Sequence, residues 1–213
     1  MILCDIGNTH LHFYNGSRVW KNSPNALDTS KLKGDLYYIS VSPKNEELLI
    51  KAHHPCYNIA SLLHLESAYE GLGVDRKAAC LGLGLKSGVV IDAGSAISID
   101  VLNQGVHVGG VLLPGFGAYQ QAYKSISKVL DHPINVRVPL DHLPKNTAQA
   151  LSFGALKSVL LVLTEIIGDQ KAYFTGGDGK FLASFFPQAI YNELLVFEGM
   201  QHAIAQELEN LKS

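Results

Sequence analysis

Apolar positions along this chain fall into short runs separated by turns rich in glycine, asparagine and proline, and they predict alternating strands and helices. Ile2-Leu3-Cys4 reads as a buried strand, Leu11 to Tyr14 as a second and Arg18 to Lys21 as a third, with Asn15-Gly16 as a hairpin turn between the last two. Leu36 to Val41 is another strand, ended by Ser42-Pro43, and Asn45 to Ala52 has a helical pattern. Residues 53–67 show no clear period. Tyr69 to Arg76 holds two glycines and reads as a loop, and Lys77 to Leu85 reads as a short helix.

The pattern then begins again. Gly88 to Ile91 is a buried strand, Ala96 to Leu102 alternates as a second, and Val106 to Leu113 follows the turn Asn103-Gln104-Gly105. Helices are expected over 118–130, 147–167 and 197–211, with a proline-rich connector over 131–147 and a strand at Ala172-Tyr173-Phe174. When GVVIDAGSAISIDVLNQG is laid under MILCDIGNTHLHFYNGSR, Asp92 falls under Asp5, Gly94 under Gly7 and Ser95 under Asn8. Each copy runs strand, D-x-G turn, strand. An internal repeat of this kind predicts two similar lobes, residues 1–86 and 87–213, facing each other across a cleft.

Composition narrows the classes of function. In a chain of 213 residues, 47% are hydrophobic, enough for a substantial core. The net charge is −2 with no long basic run, which argues against a nucleic-acid or membrane-surface partner. Cys4, Cys56 and Cys80 are widely spaced, as expected of reduced thiols in a cytoplasmic protein. No basic leader precedes the first apolar run, and the longest apolar segment, Val159 to Ile167, is broken by Thr164 and Glu165, so it reads as a core helix.

The paired turns carry the candidate chemistry. Taken singly, D-x-G is ordinary turn composition. Placed at equivalent points of two lobes, two such turns offer backbone N–H groups, and the hydroxyls and amide of Asn8, Thr9 and Ser95, to an oxyanion. Asp5 and Asp92 would repel phosphate unless a cation such as Mg²⁺ lay between. The pair therefore reads as a clamp for a nucleotide–metal complex, with Thr175-Gly176-Gly177-Asp178-Gly179 as a place for the nucleoside. There is no GxxxxGK[ST] and no GxGxxG. His10 and His12 share one face of a strand and His53-His54 are adjacent, but no spacing matches a transition-metal site.

Together these residues resemble the acetate and sugar kinase, Hsp70 and actin superfamily, and more closely the type III pantothenate kinases. The resemblance covers nearly the whole chain. It rests on Asp5-Ile6-Gly7-Asn8-Thr9, Gly73-Val74-Asp75-Arg76, Asp92-Ala93-Gly94-Ser95-Ala96-Ile97-Ser98-Ile99-Asp100, Gly109-Gly110-Val111-Leu112-Leu113-Pro114-Gly115 and Thr175-Gly176-Gly177. It implies an α/β, duplicated actin-like (ribonuclease H-like) fold of two lobes, with mixed sheets flanked by helices and the nucleotide in the central cleft. It also implies ATP-dependent phosphorylation of pantothenate to 4'-phosphopantothenate, the first step of coenzyme A synthesis. Mg²⁺, a monovalent cation (K⁺ or NH₄⁺) and a homodimer come with it.

Residue by residue, the resemblance makes Asp75 the general base. Tyr69, Gly73, Val74, Asp75, Arg76 and Thr147 would contact pantothenate. Asp5, Ile6, Gly7, Asn8, Thr9, His10, Leu11 and His12 would hold ATP, with Ser95, Gly176 and Gly177. Asp92 would ligate the monovalent cation and Asp5 would meet Mg²⁺ through water. Three departures from the family pattern stand out: Ser95 where threonine is commonest, His12 where many members carry lysine or another polar residue, and a shorter chain. A carboxylate at 75 suits the chemistry, because a primary hydroxyl is a poor nucleophile and general-base help is typically worth about 10²–10⁴-fold. Two other readings fit the same fold: a nucleotide-binding regulator without phosphoryl transfer, and a kinase for another small hydroxy acid or sugar.

Overall fold

A computed structural model describes residues Met1–Lys212. The first half contains β1 (Ile2–Ile6), β2 (Leu11–Tyr14), β3 (Val19–Asn22), β4 (Leu36–Ser40), α1 (Pro43–Ala52), β5 (Cys56–Asn58) and α2 (Val74–Gly82). The second contains β6 (Gly88–Ala93), β7 (Ala96–Asn103), β8 (Val106–Pro114), α3 (Phe116–Ile126), α4 (Thr147–Ile167), β9 (Ala172–Thr175), α5 (Gly179–Ala183), β10 (Ile190–Tyr191) and α6 (Leu195–Asn210).

Each half builds one five-stranded mixed sheet. The strand orders are β3-β2-β1-β4-β5 and β8-β7-β6-β9-β10. In both, three antiparallel strands continue into two parallel ones. The repeat seen in the sequence is thus a repeat of topology, and the chain has the two-lobed actin-like fold.

The strands alternate faces, and this places the chemistry. In β1, Ile2, Cys4 and Ile6 point outward into a core with Leu49 of α1, while Leu3 points to the middle of the molecule. In β6, Val89, Ile91 and Ala93 point outward to Leu156, Val159 and Leu163 of α4, while Val90 points to the middle. Asp5 and Asp92 share the parity of Leu3 and Val90, so both face the space between the sheets.

That space is filled below the cleft by α2 and α6. One buried cluster joins Leu3 and Ile39 of the first sheet, Ala78, Ala79 and Cys80 of α2, Phe197 and Met200 of α6, and Val90 and Tyr173 of the second sheet. The two helices lie so close that a methyl on Gly82 would overlap the Leu195 carbonyl, and one on Gly199 the Ala78 carbonyl. The C-terminal helix therefore completes the core under the first sheet as well as the second.

The pattern misplaced a few elements. α2 begins at Val74 rather than Lys77, so the expected loop over 69–76 ends as a helical turn with Gly73 at its N-cap. α3 stops at Ile126 and gives way to a 3₁₀ turn over Lys128–Leu130. The parallel edge strands β5 and β10 have three and two residues, too short to show a period. α4 is, by length and composition alone, apolar enough to cross a membrane; its buried stripe of Leu156, Val159 and Leu163 packs on the second sheet.

Candidate active site

A cleft of about 590 Å³ opens between the sheets above α2 and α6. Both D-x-G turns line it: Asp5, Gly7, Asn8 and Thr9 from one lobe, Asp92, Gly94 and Ser95 from the other. Each turn is closed by its glycine, Gly7 N–H donating to the His10 carbonyl three residues on at 3.0 Å and Gly94 N–H to the Ala96 carbonyl two residues on at 2.9 Å. They meet across the cleft, where the hydroxyls of Thr9 and Ser95 are 2.7 Å apart. The first turn is tied from behind by Asn45 of α1. Its buried amide donates to the carbonyls of Gly7 at 2.8 Å and Asn8 at 3.1 Å, which satisfies both acceptors from behind the turn.

The third glycine turn packs against the second D-x-G turn. Gly176 has φ +82°, and a Cβ there would overlap the Asp92 carboxylate and the Ala93 carbonyl, so only glycine fits. Asp178 N–H donates to the Ala93 carbonyl at 3.0 Å and fixes the turn. Gly176, Gly177 and Asp178 all line the cleft.

At the cleft floor stands Asp75, in the first turn of α2. Its Oδ1 accepts the backbone N–H of Arg76 at 2.8 Å and lies 2.7 Å from where a Cβ on Gly73 would sit, so the absence of a side chain at 73 makes room for the carboxylate. Burial raises the Asp75 pKa from its ordinary value. The Arg76 N–H opposes that, and Asp5 adds to it. The Arg76 guanidinium points elsewhere: Nη2 and Nε donate to the two oxygens of Asp100 at 2.6 and 3.1 Å. Arg76 and Asp100 are buried, so the adjacent Asp75-Arg76 is not a surface ion pair. The Arg76 backbone N–H does most to favour the charged form of Asp75, and the arginine's charge adds a smaller push the same way.

The cleft is acidic. Asp5, Asp75, Asp92, Asp178 and Glu193 line it against two strong cations, Arg76 and Lys21, and Arg76 is already matched by Asp100. Burial, then Asp5 and Asp75, push Asp92 up to about 7. Added positive charge would offset that repulsion, so the site suits cations. Among the described residues no three His, Cys, Asp or Glu side chains converge to hold a metal. A cation here would take its remaining ligands from water or a bound anion, as Mg²⁺ commonly does.

Lys21 had no sequence signal. It stands directly across from His12 in the β2–β3 register, while His12 stands across from Asp5, 3.8 Å between Nδ1 and Oδ2. The His10 and His12 rings stack on this wall at 6.1 Å, on one face as their spacing requires. Burial, with Lys21 and His12 nearby, lowers the His10 pKa.

The expected residues divide into groups. Asp5, Gly7, Asn8, Thr9, His10, His12, Asp75, Arg76, Asp92, Ser95, Gly176 and Gly177 line one cleft. Ile6 and Leu11 are fully buried in the outer core of the first lobe, so only their backbone shapes the turn. Tyr69, 37% exposed, lies over the Arg76 guanidinium at 4.7 Å, beside the cleft. Gly73 and Val74 shape the start of α2. Thr147 is exposed at the start of α4 and is not among the cleft-lining residues. Asn45, Lys21 and Asp100 were missed. Only Asp100 had a trace, as the last residue of the Asp92–Asp100 motif.

Comparison with known proteins gives a consistent result. A family model described as "Type III pantothenate kinase" matches residues 38–169, more than half the chain. A type III pantothenate kinase of Helicobacter hepaticus is 50% identical over 208 residues, covering 98% of this chain and all of the relative. One from Wolinella succinogenes is 44% identical over 209 residues, with 98% and 99% coverage. Among solved structures, a Campylobacter jejuni protein described as a Baf family transcriptional activator superposes with a TM-score of 0.81 at 36% identity, covering 98% of this chain and all of that one.

Proposed function

The chain belongs to the type III pantothenate kinase family, whose reaction is ATP-dependent phosphorylation of pantothenate in coenzyme A synthesis, and we propose that Asp75 is its general base. One observation carries this reading. Asp75 is a half-buried, cleft-facing carboxylate with a raised pKa, held by a backbone N–H, on the floor beneath two phosphate turns that meet above it.

The pantothenate hydroxyl attacks the γ-phosphorus of ATP. Its oxygen forms the new P–O bond, the bond to the β-phosphate bridge breaks, and ADP leaves. Asp75 orients the hydroxyl and takes its proton as charge builds on the phosphoryl oxygens. The N–H groups of the Gly7 and Gly94 turns, with Asn8, Thr9 and Ser95, hold the phosphates, and the Gly176-Gly177 turn lies against the nucleoside. Mg²⁺ and a monovalent cation, when bound, neutralise phosphate charge beside Asp5 and Asp92. The acidic cleft supports this part of the reading, because a polyanionic nucleotide entering alone would be repelled. Arg76 and Tyr69 form the wall of the acceptor pocket, with Arg76 offering the N–H groups that Asp100 leaves free. A homodimer in the cytoplasm completes the proposal. Val108 and Leu112 on the edge strand β8, 64% and 55% exposed, and Val129 beyond α3 at 73% supply an apolar surface for a second copy.

The direct test is Asp75→Asn in an ADP-release assay with ATP and pantothenate. Turnover is expected to fall by about 10²-fold or more while nucleotide binding by calorimetry holds. Near-normal turnover in that variant removes Asp75 from the role. The description of the C. jejuni structure favours a second reading, a non-catalytic regulator on this fold. A regulator has no need of a half-buried carboxylate beneath the phosphate turns, and no wild-type turnover of pantothenate would leave the regulator standing.

A further inference from the structure

Behind the acceptor wall lies a polar network that the reaction as described does not use. Its centre is Asp100 on β7, fully buried, gripped by Nη2 and Nε of Arg76. A third donor reaches the same carboxylate: Nε2 of His107 on β8, 2.9 Å from Oδ1. A carboxylate only accepts, so this nitrogen carries the proton. The other ring nitrogen, Nδ1, is 2.7 Å from Ser67 Oγ, and that hydroxyl accepts the backbone N–H of Tyr69 at 3.0 Å. With its oxygen accepting from Tyr69, Ser67 gives its own proton to Nδ1. The chain is then complete: Tyr69 N–H to Ser67, Ser67 O–H to His107, His107 N–H to Asp100, with Arg76 on the same carboxylate. The negative charge of Asp100 sits directly against the positive charge of Arg76. The Tyr69 ring closes the loop, stacked over the guanidinium at 4.7 Å and edge-on to His107 at 5.8 Å.

Two local features exist to admit this network. Between Val101 and Leu102 the β7–β8 register slips by one residue, so that His107 rather than Val108 pairs with Leu102. Paired residues share a face, and Leu102 shares one with Asp100 two residues away. The bulge therefore turns His107 inward and leaves Val108 exposed at 64%. Opposite Asp100 in the same ladder stands Gly110, where a Cβ would fall 2.5 Å from both Arg76 Nη2 and Asp100 Oδ1. The backbone N–H of His107 donates to the Glu66 carbonyl at 2.9 Å, fastening the 66–69 segment to the sheet.

We propose that His107 is a positioning residue of the acceptor pocket: through Ser67 it fixes the Tyr69 segment, and through Asp100 it fixes the Arg76 guanidinium, beside Asp75. This rests on the reading that Tyr69, Arg76 and Asp75 surround pantothenate. Neutralisation alone would need only Asp100 with Arg76. The second half of the network, from His107 outward, connects that pair to a loop whose one large side chain is Tyr69.

The experiment compares His107→Phe, which keeps the ring and loses both hydrogen bonds, with His107→Gln, whose amide can donate to Asp100 and accept from Ser67. Loss of a bond to a charged group predicts a KM for pantothenate, and a calorimetric Kd for pantothenate, about ten- to a hundredfold higher in His107→Phe, with the KM for ATP within about twofold of wild type. His107→Gln is expected to recover most of the loss. An unchanged pantothenate Kd in folded His107→Phe, or equal weakening of ATP and pantothenate, overturns the proposal. If His107→Phe does not fold, Ser67→Ala cuts the outer half of the chain at a half-exposed position. It is expected to raise the KM for pantothenate alone, and no change there overturns the proposal as well. Failure of the underlying reading looks different: wild type itself would then bind no pantothenate.

Discussion

Asp92 gives the sharpest quantitative prediction, through stability rather than rate. Its carboxyl titrates near 7 in the folded protein, against about 3.9 in an unfolded chain, because burial and the neighbouring Asp5 and Asp75 disfavour its charge. Between about pH 4 and 7 the folded protein keeps a proton that the unfolded chain has lost. Stability must therefore fall as pH rises through that window. Roughly three pH units at 1.36 kcal/mol each set a ceiling of about 4 kcal/mol. Asp92 keeps a partly open face to the cleft, and the water there brings the figure toward about 2 kcal/mol. Asp92→Asn preserves the shape and never ionises. In potassium-free buffer the variant is expected to lie within about 1 kcal/mol of wild type near pH 4.5 and to exceed it by about 2–4 kcal/mol at pH 8. Urea unfolding of both proteins across pH 4.5–8 measures this, and their difference cancels titrations elsewhere in the chain. A difference that stays flat across the window refutes the reasoning. Adding K⁺ at pH 8 is expected to stabilise wild type and leave Asp92→Asn unmoved, since only a ligand of the folded state shifts the balance.

Three further outcomes follow from the same site. Asp75 works as a base only when deprotonated and burial has raised its pKa, so the acid limb of kcat/KM should lie above the ordinary carboxylate range; an acid limb near 4 counts against Asp75 as the base. Gly176→Ala, at positive φ and against the Asp92 carboxylate, should cost about 1–3 kcal/mol in denaturant unfolding and sharply weaken ATP binding. Lys21→Met should raise the KM for ATP about three- to tenfold and leave that for pantothenate unchanged, and the opposite pattern would move Lys21 to the acceptor side.

The duplicated fold was legible because period-2 alternation and the D-x-G echo are local signals, and each survives in the strand faces that bear Asp5 and Asp92. The motif around Asp75 was legible in composition but not in conformation. Gly71 and Gly73 suggested a loop, although an aspartate in the first turn is also a helix-start signal. Asn45 and His107 were hidden for different reasons. Asn45 acts by folding α1 back onto a turn 37 residues earlier, a contact no window contains. His107 depends on a single-residue slip in strand pairing; regular alternation counted back from Leu113 would have pointed it the other way. Lys21 becomes meaningful only once the β2–β3 register sets it across from His12.

The close crossing of α2 and α6 has a consequence for how this molecule comes apart. A hinged pair of independent lobes would melt in two steps. Here the helix that carries Asp75 in its first turn is sealed, at Gly82 and Gly199, against the last helix described, and both sheets rest on that seam. Loosening either sheet uncovers apolar surface belonging to the other, so heat or denaturant should meet one cooperative unit. Calorimetry should record a single endotherm, and the capacity to turn over substrate should vanish along it in step with the fold.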